Sequence, residues 1–176
     1  MTDADLIARI QHAALLEGEF TLRSGRTSRY YLDKYRFTTQ PDLLQAIARR
    51  MADHVGEADL LAGPELGGVP IATAVALHTG LPFILVRNQK KGYGTAQQVE
   101  GQPTTPGQRI VICEDIATTG GQAIEAATML RDDLQLHVQA ILCVIDRQEG
   151  AREAVESAGF RFHSVLTKAD LGIGDD

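Results

Sequence analysis

The residues Glu114-Asp115-Ile116-Ala117-Thr118-Thr119-Gly120-Gly121-Gln122 follow the apolar run Ile110-Val111-Ile112-Cys113. A buried strand thus ends in two acids and passes through a small, hydroxyl-rich turn into a helix. A Thr-Thr-Gly-Gly turn lets backbone N–H groups and hydroxyls converge on a phosphate, and the helix that starts there adds the positive end of its dipole. Carboxylates repel phosphate but accept hydrogen bonds from sugar hydroxyls, so one loop can grip a ribose phosphate at both ends. Most Thr-Gly turns are plain strand-to-helix connections with capping threonines; the two adjacent acids favour the ligand reading here. Neither Gly-x-x-x-x-Gly-Lys-Ser/Thr nor Gly-x-Gly-x-x-Gly occurs, so the P-loop and dinucleotide fingerprints are absent.

Charge points the same way. The chain of 176 residues carries a net charge of −6, against the basic surplus usual in nucleic-acid binders. Yet eight of its 17 cations fall in residues 23–36 (Arg23, Arg26, Arg29, Lys34, Arg36) and 87–91 (Arg87, Lys90, Lys91). Two basic islands in an acidic protein suit a small polyanionic ligand better than a long polyanion.

Three other segments carry chemical potential. Tyr30 and Tyr31 stand beside the basic loop Arg23–Arg29 and can flank a flat anionic ring, although a surface hairpin with solvated arginines has the same pattern. Arg147 follows the apolar strand Ala140–Ile145, where its planar guanidinium can pair with a carboxylate. Between Arg87 and Gln108 lies an irregular stretch of about 20 residues, longer than most connections in a compact domain; its cations and glycines suit a lid. Cys113 and Cys143 sit inside apolar runs and read as small hydrophobes. The five histidines are scattered, with neither zinc-ligand nor Ser-His-Asp spacing.

Periodicity supplies the elements that must position these groups. Helices are predicted over residues 3–16, 41–54, 68–78, 121–134 and 151–158, and strands over 20–22, 30–32, 60–61, 83–86, 109–113, 137–145 and 160–166. Continuously apolar strands alternating with helices predict an α/β doubly wound, mostly parallel sheet with helices on both faces, plus a small N-terminal helix and hairpin hood. The length fits one domain over 1–176, with the hood at 1–40, the core at 41–170 and a tail at 171–176. The longest apolar run, Ala140–Ile145, is far short of a membrane span, and the acidic N-terminus does not resemble a signal peptide, so a soluble, cytoplasmic protein is expected.

At Glu114–Gly121 the sequence resembles the phosphoribosyl-diphosphate motif of type I phosphoribosyltransferases. Phe20–Asp33 looks like the N-terminal signature of the orotate-specific family within them, Asp146-Arg147-Gln148-Glu149 is similar to a recurrent sequence of that family, and Gly63–Pro70 to its diphosphate loop. The resemblance implies transfer of ribose 5-phosphate from phosphoribosyl diphosphate (PRPP) to orotate in pyrimidine (UMP) biosynthesis. It assigns PRPP to Arg23, Arg87, Lys90, Lys91, Tyr93, Glu114, Asp115, Ile116, Ala117, Thr118, Thr119, Gly120, Gly121 and Gln122, and orotate to Thr118, Arg147, Tyr30 and Tyr31. Lys91, Arg87 and Asp115 would be catalytic. It also implies Mg²⁺, held mainly by substrate diphosphate and water rather than by a protein ligand set, and a homodimer sharing the Lys91 lid across its interface, with no nucleic acid or membrane partner. Many members have Tyr-Lys at Leu66-Gly67, Lys at Asn88 and His at Tyr93, so diphosphate neutralisation must rest on other cations. Two alternatives stand beside this reading: a purine or uracil transferase of the same fold, which would not need Arg147, and a non-enzymatic PRPP-sensing regulator, which would lose the lid.

Overall fold

The computed structural model describes residues 1–21, 27–88 and 98–174. Helix α1 (Asp3–Ala14) is closed at its start by a capping box: the Thr2 hydroxyl accepts from the Asp5 N–H, and the Asp5 carboxylate accepts from the Thr2 N–H. Leu6, Ile10 and Ala14, at helical spacing, are buried. The helix stops before the predicted residue 16 because Leu15 pairs with Leu32, opening strand β1 (Leu15–Thr21) against the antiparallel β2 (Thr27–Leu32). Periodicity does not reveal the next element, α2 (Lys34–Thr38), which is too short to show one. Asp33 caps it by accepting from the Tyr35 N–H, and Phe37 drives its one buried face into the core.

After α3 (Pro41–Ala52) the chain alternates. β3 (Leu60–Pro64), α4 (Gly68–Thr79), β4 (Phe83–Val86), β5 (Val99–Gly101), β6 (Arg109–Ala117), α5 (Gly121–Asp132), β7 (His137–Asp146), α6 (Ala151–Ser157) and β8 (Phe162–Thr167) follow, then a 3-10 turn at Ala169–Leu171. The sheet order is β5-β4-β3-β6-β7-β8, parallel throughout except for β5 at the edge. The doubly wound, mostly parallel sheet and the N-terminal hairpin are as predicted.

Three boundaries differ in ways that bear on function. The sequence stops β6 at Cys113, but the strand continues through both acids to Ala117, held by parallel pairing of Ile116 with Ile145 and Ala117 with Asp146. Within the stretch expected to be irregular, β5 returns antiparallel to β4, Val99 opposite Val86; three residues are too few for a periodic signal. In the segment expected to be a tail, Leu171 is fully buried.

Each sheet face carries its own core. On one, α1, α3 and α4 bury Leu6, Ile10, Ile47, Ile71 and Val75 against Val111, Cys113 and Val144. On the other, α5 and α6 bury Ala127, Leu130 and Val155 against Ile110, Ile112 and Cys143. The N-terminal segment shares the first core, so what it carries is fixed relative to the sheet. Phe37, fully buried, anchors α2 there. Phe37→Ala should cost about 3–5 kcal/mol in urea unfolding; a loss below about 1 kcal/mol would mean that α2 is held by something other than this side chain.

Candidate active site

In open α/β sheets the space beyond the carboxyl ends of the strands collects loops and helix N-termini, and ligands bind there. Here Pro64 at the end of β3 and Glu65 after it, Arg87 and Asn88 after β4, the acids of β6 and the turn that follows them line a single cleft, and Lys34 of α2 reaches into it. The Glu65–Leu66 peptide is cis. The Glu65 carboxylate accepts from the Asn88 N–H at 2.8 Å, and the Glu65 N–H donates to the Val86 carbonyl at 2.7 Å, locking the ends of β3 and β4 together. Arg87 is pinned in turn, its N–H donating to the Gln98 carbonyl and its own carbonyl accepting from Gln98 Nε2. The buried Arg87 Nε finds no acceptor among the described residues.

Strand alternation sends the two acids to opposite faces of the sheet. Asp115 falls on the face of α4 and α2. Its Oδ1 accepts from the Ile116 N–H at 2.5 Å, and its Oδ2 lies 2.8 Å from Lys34 Nζ. Burial works to lower the Lys34 ammonium, but the adjacent Asp115 carboxylate outweighs it and leaves the pKa raised. Glu114 is recorded in no ion pair among the described residues. Burial first, then the negative charge of Asp115, pushes its carboxyl up to about 8, with Lys34 offsetting part of the rise. Around neutral pH Glu114 of the free protein therefore holds its proton more readily than a free carboxyl.

Beyond Ala117 the chain turns through Thr118 and Thr119 to Gly120, whose φ of +78° belongs to the left-handed region. A Cβ on Gly120 would also meet the Ala151 carbonyl at 3.2 Å. Helix α5 begins here without a side-chain cap, and Gly121, Gln122 and Ala123 line the cleft. Its first N–H groups are suited to an anion.

Beside this turn, parallel pairing places the end of β7. The Arg147 N–H donates to the Ala117 carbonyl at 2.9 Å. The Arg147 guanidinium lies 5.5 Å above the Tyr30 ring, donates to the Tyr30 hydroxyl at 3.1 Å and pairs with Glu149 at 2.8 Å, while its buried Nε has no acceptor among the described residues. Tyr31 turns to the other face of β2, where it is exposed and its ring lies 5.7 Å from Phe20.

The cleft thus brings together Arg87 and the whole run Glu114–Gln122, with Arg147 and Tyr30 alongside; Tyr31 does not join Tyr30 on Arg147. Arg23, Lys90, Lys91 and Tyr93 lie outside the described residues. Sequence reasoning missed Lys34 and Gly67. Lys34 was counted only within a basic island, and the one signal for its placement is Asp33, a helix cap immediately before it.

Residues 35–162 match the family model described as phosphoribosyl transferase domain. The chain is 44% identical over 168 residues to the orotate phosphoribosyltransferase of Halobacterium salinarum, covering 95% of each. Among solved structures it superposes on the Mycobacterium tuberculosis orotate phosphoribosyltransferase in complex with PRPP with a TM-score of 0.82, at 33% identity, over 97% of this chain and 98% of that one. The Aeropyrum pernix orotate phosphoribosyltransferase gives 0.80 at 33% identity, over 99% and 100%.

The raised carboxyl of Glu114 has a measurable consequence. With a folded-state pKa of about 8 against the usual 4.5, the folded chain holds this proton more tightly than the unfolded chain. The resulting stability is complete below the unfolded value and is lost as pH rises through the folded one. Glu114→Gln stays neutral, so variant and wild type should unfold alike in urea at about pH 4. Towards pH 9 the variant should become the more stable, by on the order of a few kcal/mol. A difference that does not change with pH would show that Glu114 is ionised throughout.

Proposed function

The chain belongs to the phosphoribosyltransferase family, and we infer that it is an orotate phosphoribosyltransferase. Ribose 5-phosphate passes from PRPP to orotate, giving orotidine 5′-monophosphate and diphosphate in pyrimidine biosynthesis. The observation that carries the choice of base is Arg147, held by its own N–H beside the phosphate-binding turn and stacked on Tyr30. A planar donor fork next to an aromatic ring suits a flat heterocycle bearing a carboxylate. A purine or uracil acceptor has no carboxylate for that fork to clamp.

The remaining roles follow from charge. Thr118–Gln122 and the start of α5 receive the 5-phosphate, and Asp115 with Glu114 receives the ribose hydroxyls. As the bond from the ribose carbon to diphosphate breaks, positive charge develops on the sugar and negative charge on the leaving group. The chain contributes by holding both substrates together and by placing cations on the diphosphate. Arg87 is the described member of that set, and the family resemblance adds Arg23, Lys90, Lys91 and Tyr93 to it. Among the described residues no group of three or more His, Cys, Asp or Glu side chains forms a metal site. The carboxylates of the cleft are hard oxygen donors compatible with a Mg²⁺ that enters on the substrate's diphosphate and keeps its water. When bound, that ion neutralises leaving-group charge. The ring nitrogen of orotate is the nucleophile once deprotonated, so no side chain is required to form a covalent bond. No helix among the described residues is long and apolar enough to cross a membrane, and cytoplasmic action accords with that.

Lys91 acts in the partner subunit's cleft of a homodimer. Arg87, Asn88 and Gln98 line the cleft, and a connection of this length can extend roughly 20 Å, enough to cross an interface beside the cleft.

Orotate absorbance should fall on adding purified protein only when PRPP and a divalent cation are both present, with uracil and hypoxanthine poor acceptors. Faster reaction of hypoxanthine would overturn the choice of base. Arg147→Ala should weaken orotate use roughly 10- to 150-fold with PRPP affinity nearly unchanged, and Arg147→Lys, which lacks the fork, should rescue only in part; equal weakening of both substrates would make the arginine structural. Lys91→Ala should cost on the order of 10²–10³ in turnover. Refolded together, Lys91→Ala and Asp115→Asn should form about half mixed dimers, each with one intact site, and recover about a quarter of wild-type activity. A mixture no more active than its parents, with subunit exchange confirmed by tags, would put the lid in its own subunit.

A further inference from the structure

We propose that Lys34 is a positioning residue for the transfer, fixing the Asp115 carboxylate for the ribose hydroxyls and tying the N-terminal segment to the acid pair. The inference rests on the reading of Asp115 as the ribose-binding acid.

Three independent features support it. The first is the contact itself. Asp115 is almost wholly buried, its Oδ1 is taken by the Ile116 N–H and its Oδ2 by Lys34 Nζ. Oδ1 has accepted one bond, Oδ2 is ion-paired with Lys34 but accepts no hydrogen bond from a described group, and a carboxylate offers about four lone-pair sites, so the pairing aims the group without blocking it.

The second is the space in which the contact sits. The backbone of Gly67 has φ −76° and ψ −28°, an ordinary helical conformation open to any residue. A Cβ there, however, would lie 1.4 Å from Asp115 Oδ2 and 3.2 Å from Lys34 Nζ. Glycine is needed at 67 for room rather than for conformation, and what fills the room is this ion pair.

The third is charge. A buried carboxylate beside a second acid needs a counter-ion. Lys34 and Arg87 are the described cations that line the cleft, and Lys34 is the one recorded in an ion pair with Asp115. Asp115 faces it from β6, where the charge of Glu114 also acts on it, Tyr35 lies beside it on its own helix with the ring 5.6 Å from Nζ, and Glu65 and Arg87 line the same cleft from the β3 and β4 ends. The ammonium is not a loose surface group, because Phe37 anchors the five-residue helix that presents it.

Calorimetric binding of PRPP, ribose 5-phosphate and inorganic diphosphate to the full chain tests the proposal. Lys34→Met should weaken PRPP and ribose 5-phosphate roughly 10-fold or more while leaving inorganic diphosphate within about twofold. In an Asp115→Asn background the same substitution should cost nothing further. Lys34→Arg should restore part of the loss. Gly67→Ala, which displaces the same carboxylate by a different route, should reproduce the pattern and stands in if Lys34→Met does not fold. In steady state, the KM for PRPP should rise more than kcat falls. Persistence of the Lys34→Met loss in the Asp115→Asn background, or an equal loss for inorganic diphosphate, would mean that Lys34 touches the ligand itself and would overturn the positioning role. Unchanged binding would make the pair incidental. Failure of the wild-type chain to bind PRPP would instead overturn the functional reading, and the inference with it.

Discussion

The parallel pairing of β6 with β7, carried to the last residue of each strand, is the constraint on which the site depends. Ala117 stands opposite Asp146, so the residues that leave the sheet next, Thr118 on one strand and Arg147 on the other, start out as neighbours. The hydrogen bond from the Arg147 N–H to the Ala117 carbonyl continues the ladder one step further. A phosphate-gripping turn and a carboxylate-gripping fork therefore share one origin and cannot drift apart while the sheet is intact. A slip of one residue would turn the acids of β6 to the wrong faces and separate the turn from the fork. Both strands are buried on two sides, which pins that register more firmly than any contact inside the cleft.

Burial of the acid pair is the cost of this arrangement. Strands apolar enough to hold register are a poor place for carboxylates, and Glu114 shows it in a carboxyl pushed far above its usual range. Asp115 is met by a backbone N–H and by a lysine from an element outside the sheet. The two acids, adjacent in sequence, thereby differ in surroundings: one stands beside a cation, and the other holds a proton more readily than a free carboxyl. A sugar presents hydroxyls that both donate and accept, so a site with one ion-paired carboxylate and one that can hold a proton suits vicinal hydroxyls.

The parallel sheet and its helices were legible because α/β periodicity is a property of long segments: the β6 and β7 apolar runs and the Leu43, Ile47, Met51 stripe of α3 each carry it. The turn at Thr118–Gly121 was legible because its chemistry is contiguous in sequence. What escaped is short or assembled in space. Helix α2 and strand β5 are five and three residues long, below the length at which a period shows. The extension of β6 through Glu114 and Asp115 escaped because acids read as a strand end until a neighbouring strand supplies the partners. Tyr30 and Tyr31 look like a pair in sequence, but alternation along β2 separates them. Lys34 meets Asp115 across 81 positions of chain, and no spacing rule joins them.

Gly67 shows how a missing side chain is read differently once the fold is known. In the sequence it is a departure, a position where a family lysine is absent and a charge appears to be lost. In the structure, the space that side chain would enter already holds the Asp115 carboxylate and a lysine end. The substitution is therefore coupled to another residue: with Lys34 on a helix anchored by Phe37, a side chain at 67 would collide with the pair, and without Lys34 the cleared space would leave a buried carboxylate short of its counter-ion. Positions 34 and 67 should then vary together among related chains, a small residue at 67 accompanying a cation at 34, because each is tolerable only in the presence of the other. Sampling of related sequences in which a bulky residue at 67 coexisted freely with lysine at 34 would show that the pair can form elsewhere in the cleft, and the steric half of the argument would fall.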